Sequence, residues 1–161
     1  PSPEWKIRNI GNRWNSLDTL DMAMGQGLIS ATPLQMCNVA ASISNGGILQ
    51  APHVSETNVL GVKRSGNQLE VSPKHLEIIR EAMRRVCSSG GTASELDGLG
   101  FELGGMTGSS TNSSKVKHEW FIGFAPFENP EVACCVFIES SEERARIAVP
   151  IAGKVLSSAI Q

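Results

Sequence analysis

No stretch of this sequence is an unbroken apolar span of bilayer length, so nothing in it is expected to cross a membrane as a helix. No block of like charge is present either. A net charge of -2 leaves no electrostatic footprint for nucleic acid or an anionic membrane. The cysteines, Cys37, Cys87, Cys134 and Cys135, form no CxxC and no Cys/His spacing, which argues against a metal centre. Cys134 and Cys135 are adjacent, would point to opposite faces of a strand, and read as buried free thiols. Internal repeats, low-complexity tracts and linkers are all missing. The first residue is proline rather than methionine and no signal-peptide pattern precedes it, so the chain is expected to have been cut from something longer. What remains is 161 residues, 40% apolar and 19% charged, a composition for one soluble globular domain rather than disorder. A chain of this length buries about two thirds of its unfolded surface.

Pro1 to Ile29 reads as mostly irregular, with Trp5 and Trp14 as anchors and a Gly25-Gln26-Gly27 turn. Thr32-Pro33 supplies an N-cap and a first-turn proline. The helix that follows carries Leu34, Cys37, Ala41 and Ser44 at helical spacing, and Asn45-Gly46-Gly47 stops it. Ile48 to Leu60 and Leu69 to Val71 read as short extended pieces around a polar turn at Lys63 to Asn67. Ser72-Pro73 opens a second helix with an inward stripe of Leu76, Ile79, Met83 and Val86, closed by Ser89-Gly90-Gly91. Leu103 to Ser109, Glu119 to Ala125 and Glu131 to Glu139 read as three strands. The last is apolar on both faces and is expected to be a central, doubly covered strand. Asn129-Pro130 makes the second and third strands antiparallel neighbours. Pro150 starts a final helix with Ile151, Val155 and Ala159 facing inward. Helices, a meander and a helix specify the α+β (α/β) class, an antiparallel sheet flanked by helices.

The chemistry-bearing stretch is Gly104-Gly105-Met106-Thr107-Gly108-Ser109. Glycine weakens a strand unless another backbone or a ligand must approach closely. Thr107 and Ser109 alternate, so both hydroxyls fall on one side. Taken alone, the stretch is a polar strand end leading into a loop; a substrate platform is the other reading. Other candidates carry less. His53, His75 and His118 are scattered, and Asp18 and Asp21 read as caps or solvated carboxylates before a glycine turn. Glu139, Glu142, Glu143, Arg144 and Arg146 read as a solvated loop of weak ion pairs. The Gly25-Gln26-Gly27 turn lacks the lysine and the strand–turn–helix context of a phosphate cradle.

Met106-Thr107-Gly108 resembles the third signature, Lys-Thr-Gly or Lys-Ser-Gly, of serine penicillin-binding proteins and serine β-lactamases. The resemblance runs collinearly along the chain. Pro3-Glu4-Trp5-Lys6, Asp18-Thr19-Leu20, Gly25-Gln26-Gly27-Leu28 and Thr32-Pro33-Leu34-Gln35-Met36 follow one another as in class B penicillin-binding proteins. Asn45-Gly46-Gly47, Pro52 and Gly91-Thr92-Ala93 continue the order, and His118 to Pro126 with Asn129-Pro130 completes it. The start looks most like the elongation type, D,D-transpeptidases that cross-link side-wall peptidoglycan. The resemblance implies a β-lactamase/transpeptidase-like fold, incomplete because the N-terminal half of the domain is absent, so that residues 1–161 form the C-terminal portion.

It further implies acyl transfer by a serine nucleophile beside a lysine base, with no metal or cofactor. Its partners would be the peptidoglycan stem peptide, β-lactam antibiotics, the missing half of the domain and cell-wall elongation proteins. The parent would be extracytoplasmic, on the periplasmic face of the inner membrane and anchored through a segment not in this chain. Carried over by motif, the Ser109 backbone N–H forms half of the oxyanion hole and Thr107 bonds the substrate carboxylate. Gly108 lets the substrate backbone lie close, and Thr111 lines the rim.

This sequence departs from the pattern twice. Met106 stands where the signature lysine belongs and offers neither charge nor a strong donor; Lys115 and Lys117 are the cations that would have to reach back. The nucleophile is missing: Ser114-x-x-Lys117 and Ser110-Thr111-Asn112 match Ser-x-x-Lys and Ser-x-Asn, yet they crowd into one hairpin loop instead of opening a buried helix. The chain by itself is therefore expected to be inactive. An alternative is a non-catalytic transpeptidase-like scaffold or binding module of the wall-synthesis complex, motivated by Met106. A β-lactamase or β-lactam sensor is disfavoured by Gly25-Gln26-Gly27, Thr32 to Met36 and Trp120 to Pro126, which look like the synthetic enzymes. Folded alone, the chain is expected to expose an apolar patch.

Overall fold

The computed structural model describes residues 1–54, 66–111, 116–139 and 147–160. The chain divides into two compact units, Pro1–Thr32 and Pro33–Gln161.

The first unit is helical where irregular chain was expected. It holds α1 (Pro3–Ile10) and α2 (Ser16–Ala23), each of eight residues. Helices this short are marginal on propensity, so their ends and mutual contacts must hold them. Ser2 Oγ accepts the Trp5 N–H at 3.1 Å, Pro3 begins the first turn, and Gly11 ends α1 at φ 81°. Asn15 and Asp18 form a reciprocal capping box at the start of α2. Asp18 also receives Lys6 Nζ on both carboxylate oxygens, at 2.7 and 2.6 Å, and Lys6 is buried. Trp14 donates its indole N–H to Thr19 Oγ1 at 2.9 Å, whereas Trp5, expected as an anchor, is exposed. The Gly25–Gly27 turn is structural: at Gly27 a Cβ would come 2.9 Å from that of Asp21.

The second unit opens with α3 (Pro33–Ser44), then β1 (Ile48–Leu49), β2 (Asn67–Gln68) and α4 (Pro73–Cys87). The buried residues of α3 are Ala40, Ser42 and Ser44, while Leu34 is 60% exposed. β1 and β2 pair antiparallel, Ile48 opposite Gln68. Asn67 is thus strand rather than turn, while residues 63–65 of the expected turn and residues 55–60 of the expected extended stretch lie outside the described residues. Ser72 Oγ caps α4 by accepting the His75 N–H at 3.3 Å. Leu76, Met83 and Cys87 are buried on α4, while Ile79 is exposed and Val86 half-buried.

A 3-10 turn at Ser94–Leu96 leads to β3 (Gly104–Thr111), β4 (Lys117–Ala125) and β5 (Val132–Ile138), then α5 (Ala148–Ile160). The three strands form an antiparallel meander in the order β3-β4-β5, each within two residues of its expected limits. The central strand is β4, not β5. β5 is apolar on both faces because helices cover both: Cys134 and Val136 pack in the core with α5, while Ala133 packs, as Ile43 of α3 does, against Met83, Phe124 and Phe127, and its carbonyl accepts from Cys37 of α3. That main core also takes in Leu96, Leu103, Phe121, Ala152 and Leu156. α5 turns Ala152, Gly153 and Leu156 inward and exposes Ile151, Val155 and Ala159, the reverse of expectation. Arg80 joins elements by donating to the carbonyls of Ser44 at 2.6 Å and Phe127 at 2.8 Å, its guanidinium lying over the Phe124 and Phe127 rings. Among the described residues, no helix is long and apolar enough to cross a membrane.

Candidate functional site

The glycines of β3 do different things. A Cβ on Gly104 would lie 2.5 Å from Phe124 Cζ; one on Gly105 would collide with the Phe121 ring and approach Cys87 Sγ at 2.8 Å. Both are buried, and their smallness seats aromatic rings rather than a ligand. Gly108 is exposed, and the nearest atom to its Cβ position is Trp120 Cβ at 3.5 Å. Of the three, Gly108 alone leaves its strand face open to an incoming backbone.

The register sorts the remaining side chains, because residues directly opposite in an antiparallel pair share a face. Met106, Gly108 and Ser110 lie opposite Ile122, Trp120 and His118; Thr107, Ser109 and Thr111 lie opposite Phe121, Glu119 and Lys117. On the same face as Met106 and Gly108, along β4 and β5, stands an aromatic row. Trp120 and Phe137 rings are 4.3 Å apart, His118 and Phe137 5.4 Å apart, and Trp120 Nε1 donates to Ser110 Oγ at 3.3 Å. Met106 is 55% exposed, Ser109 and Thr111 are exposed, and Thr107 is half-buried. The Thr107–Ser109 edge is therefore open rather than sealed in the core. Thr107 Oγ1 lies 2.7 Å from Thr92 Oγ1, a hydrogen bond across fifteen residues of sequence.

Lys117 does not replace the missing signature lysine. It pairs with Thr111, five residues along the ladder from the Met106–Ile122 pair and on the other face. At about 3.3 Å per residue that is roughly 17 Å, beyond the reach of a lysine side chain. Asn112, Ser114 and Lys115 lie outside the described residues. Nor is there a thiol nucleophile at hand: burial pushes Cys87 and Cys134 up to about 12 and Cys135 to about 11, keeping them protonated. Among the described residues, no three His, Cys, Asp or Glu side chains are grouped to hold a metal ion.

Two contacts were beyond sequence reasoning. Gly91-Thr92-Ala93 belonged to the resemblance, but nothing along the chain pairs Thr92 with Thr107. Glu119, at a strand start, gave no sign that its carboxylate accepts the Ile147 and Ala148 N–H groups at 2.9 and 3.3 Å.

An antiparallel meander flanked by helices, in the order β3-β4-β5, is a β-lactamase/transpeptidase-like fold. The chain belongs to the penicillin binding protein transpeptidase domain family, whose profile matches residues 5–157. It is 28% identical, over 94% of its length, to the peptidoglycan D,D-transpeptidase MrdA of Acinetobacter baumannii. Among solved structures it is similar to penicillin-binding protein PBP2 of Helicobacter pylori in complex with MreC (TM-score 0.82, 28% identity, 99% of this chain). It is also similar to penicillin-binding protein A of M. tuberculosis as an imipenem acyl-enzyme (TM-score 0.79, 28% identity, 91% of this chain). The chain spans 26% of the first relative and 30% and 35% of the two solved chains.

Proposed function

We propose that this chain is the C-terminal portion of the transpeptidase domain of a peptidoglycan D,D-transpeptidase. It contributes the substrate-binding strand to a serine acyl-enzyme mechanism. A serine hydroxyl from outside the chain attacks the penultimate D-Ala carbonyl and the terminal D-Ala leaves. An amine of a second stem peptide then takes the acyl group. Thr107 holds the substrate carboxylate, Gly108 admits its backbone, the Ser109 N–H faces the acyl oxygen, Thr111 lies at the rim, and Met106 occupies the lysine position. β-Lactams acylate the same serine. The parent works outside the cytoplasmic membrane, anchored by a segment not in this chain, among elongation proteins such as the MreC seen with the Helicobacter pylori protein.

The observation that carries this reading is the open Thr107–Ser109 edge within a family match spanning residues 5–157. The test is labelling of the full-length protein with a fluorescent penicillin. Covalent labelling, lost when the serine of an upstream Ser-x-x-Lys is replaced, is the expected result. Absence of labelling favours the second reading, a non-catalytic transpeptidase-like scaffold, which Met106 motivates because a 55% exposed thioether supplies no charge for a carboxylate.

A further inference from the structure

We propose that Thr92 is a positioning residue: its hydroxyl donates to Thr107 Oγ1 and so reserves the Thr107 proton for a ligand carboxylate. The inference rests on the transpeptidase reading above and concerns the same strand.

It begins with proton arithmetic. Each threonine hydroxyl has one proton to donate and two lone pairs to accept with. At 2.7 Å the Thr92 and Thr107 oxygens share a single proton between them, and either can supply it. A carboxylate at neutral pH has no proton to give. Once it binds Thr107, the Thr107 O–H must point at it, and the bond between the two hydroxyls survives only with Thr92 as donor. The pair then runs one way, from Thr92 to Thr107 to the carboxylate. Hydrogen bonds aligned in a chain polarise one another, so the last one, to the anion, is strengthened.

The backbone on either side of Thr92 is fixed independently of that bond. Gly91 sits so tightly on the last turn of α4 that a Cβ would run into the Val86 and Arg85 carbonyl oxygens. Its N–H bonds to Ser88 O at 2.9 Å. Ala93 is fully buried and donates its N–H to Val86 O at 2.9 Å. Thr92 itself is exposed between these two anchored neighbours, so its side chain is presented to β3 from a rigid base. A group that only filled space would be packed in; this one stands at the surface, touching a strand residue through its hydroxyl.

Met106 raises the importance of the pair. Where the signature supplies an ammonium group, this chain supplies a thioether, so the Thr107 hydroxyl carries a larger share of the anion's recognition on this strand.

The experiment uses the full-length protein and two probes, benzylpenicillin and its methyl ester, which differ in whether the carboxylate is present as an anion. Thr92→Val keeps the shape and removes the donor. It is expected to lower the acylation rate for benzylpenicillin about three- to tenfold, the effect of one neutral hydrogen bond, and to leave the methyl ester rate unchanged. Thr92→Ser is expected to restore the preference, and Thr92→Val is expected to have no further effect in a Thr107→Val background. Equal losses for both probes, or no loss for either, would overturn the inference while leaving the transpeptidase reading intact. A wild-type protein that takes up no penicillin at all would instead sink that reading, and this inference with it.

Discussion

Glu119, near the start of β4, accepts the Ile147 N–H at 2.9 Å, and so a strand that backs the candidate site also caps the helix that covers the sheet. The Ala148 N–H at 3.3 Å completes the cap. An acceptor carrying negative charge suits the positive end of a helix. Replacing Glu119 by Ala should therefore destabilise the fold by about 0.5–2 kcal/mol, and by Gln by less, because the amide oxygen can still accept. Chemical denaturation of the two variants checks the order.

A charge returned to position 106 should help a carboxylate ligand. Met106 is exposed and opposite Ile122, so a lysine there meets no packing obstacle. One charge-assisted hydrogen bond is worth about 1.5–3 kcal/mol, which corresponds to roughly one to two orders of magnitude in rate. Met106→Lys in the full-length protein is expected to raise penicillin acylation by that factor. An unchanged rate would remove Met106 from the site.

The three glycines of β3 should separate cleanly under substitution by alanine. At Gly104 and Gly105 a methyl group meets the Phe124 and Phe121 rings, and overpacking of this kind costs about 1–3 kcal/mol. At Gly108 the nearest atom is 3.5 Å away, so folding should be little changed while ligand acylation falls. Thermal unfolding read beside penicillin labelling distinguishes the two behaviours.

The first unit should be acid-sensitive. The hydrogen bond from Lys6 holds the Asp18 carboxyl below its ordinary value, with the Asn15 N–H adding to the effect. A carboxyl whose folded pKa is depressed contributes stability above its unfolded pKa and loses it as pH falls through the folded one. The Lys6–Asp18 contribution is therefore expected to be complete at neutral pH and to fade below the usual carboxylate range. Helical content of α1 and α2, followed by NMR on acidification, checks this, and Asp18→Asn should flatten the response.

The sheet was legible because alternation, the Asn129-Pro130 turn and the doubly apolar β5 are all local signals. β5 was nonetheless misplaced: apolarity on both faces reports cover by α3 and α5, and says nothing about neighbours in the strand order. The final helix was turned the wrong way because it is apolar almost all round. Its buried face is chosen by small residues, since a Cβ on Gly153 would lie 2.8 Å from Leu96 Cδ2. The N-terminal helices escaped notice because caps and one ion pair hold them, and hydrophobic periodicity registers neither. At the site, the Met-Thr-Gly-Ser order was readable in one dimension. The Thr92 partner of Thr107 was not, because only the fold closes those fifteen residues.

Gly91 and Thr92 are neighbours in sequence but opposites for anyone wishing to retune this domain. At the first, main-chain oxygens of the preceding helix leave room for a hydrogen and nothing larger, so a randomised library should return one solution. At the second, the surface is open, and side-chain size and polarity can be graded without disturbing the scaffold. With Thr92 in the role proposed for it, selectivity among anionic and neutral ligands would be adjustable next to a position that tolerates no adjustment.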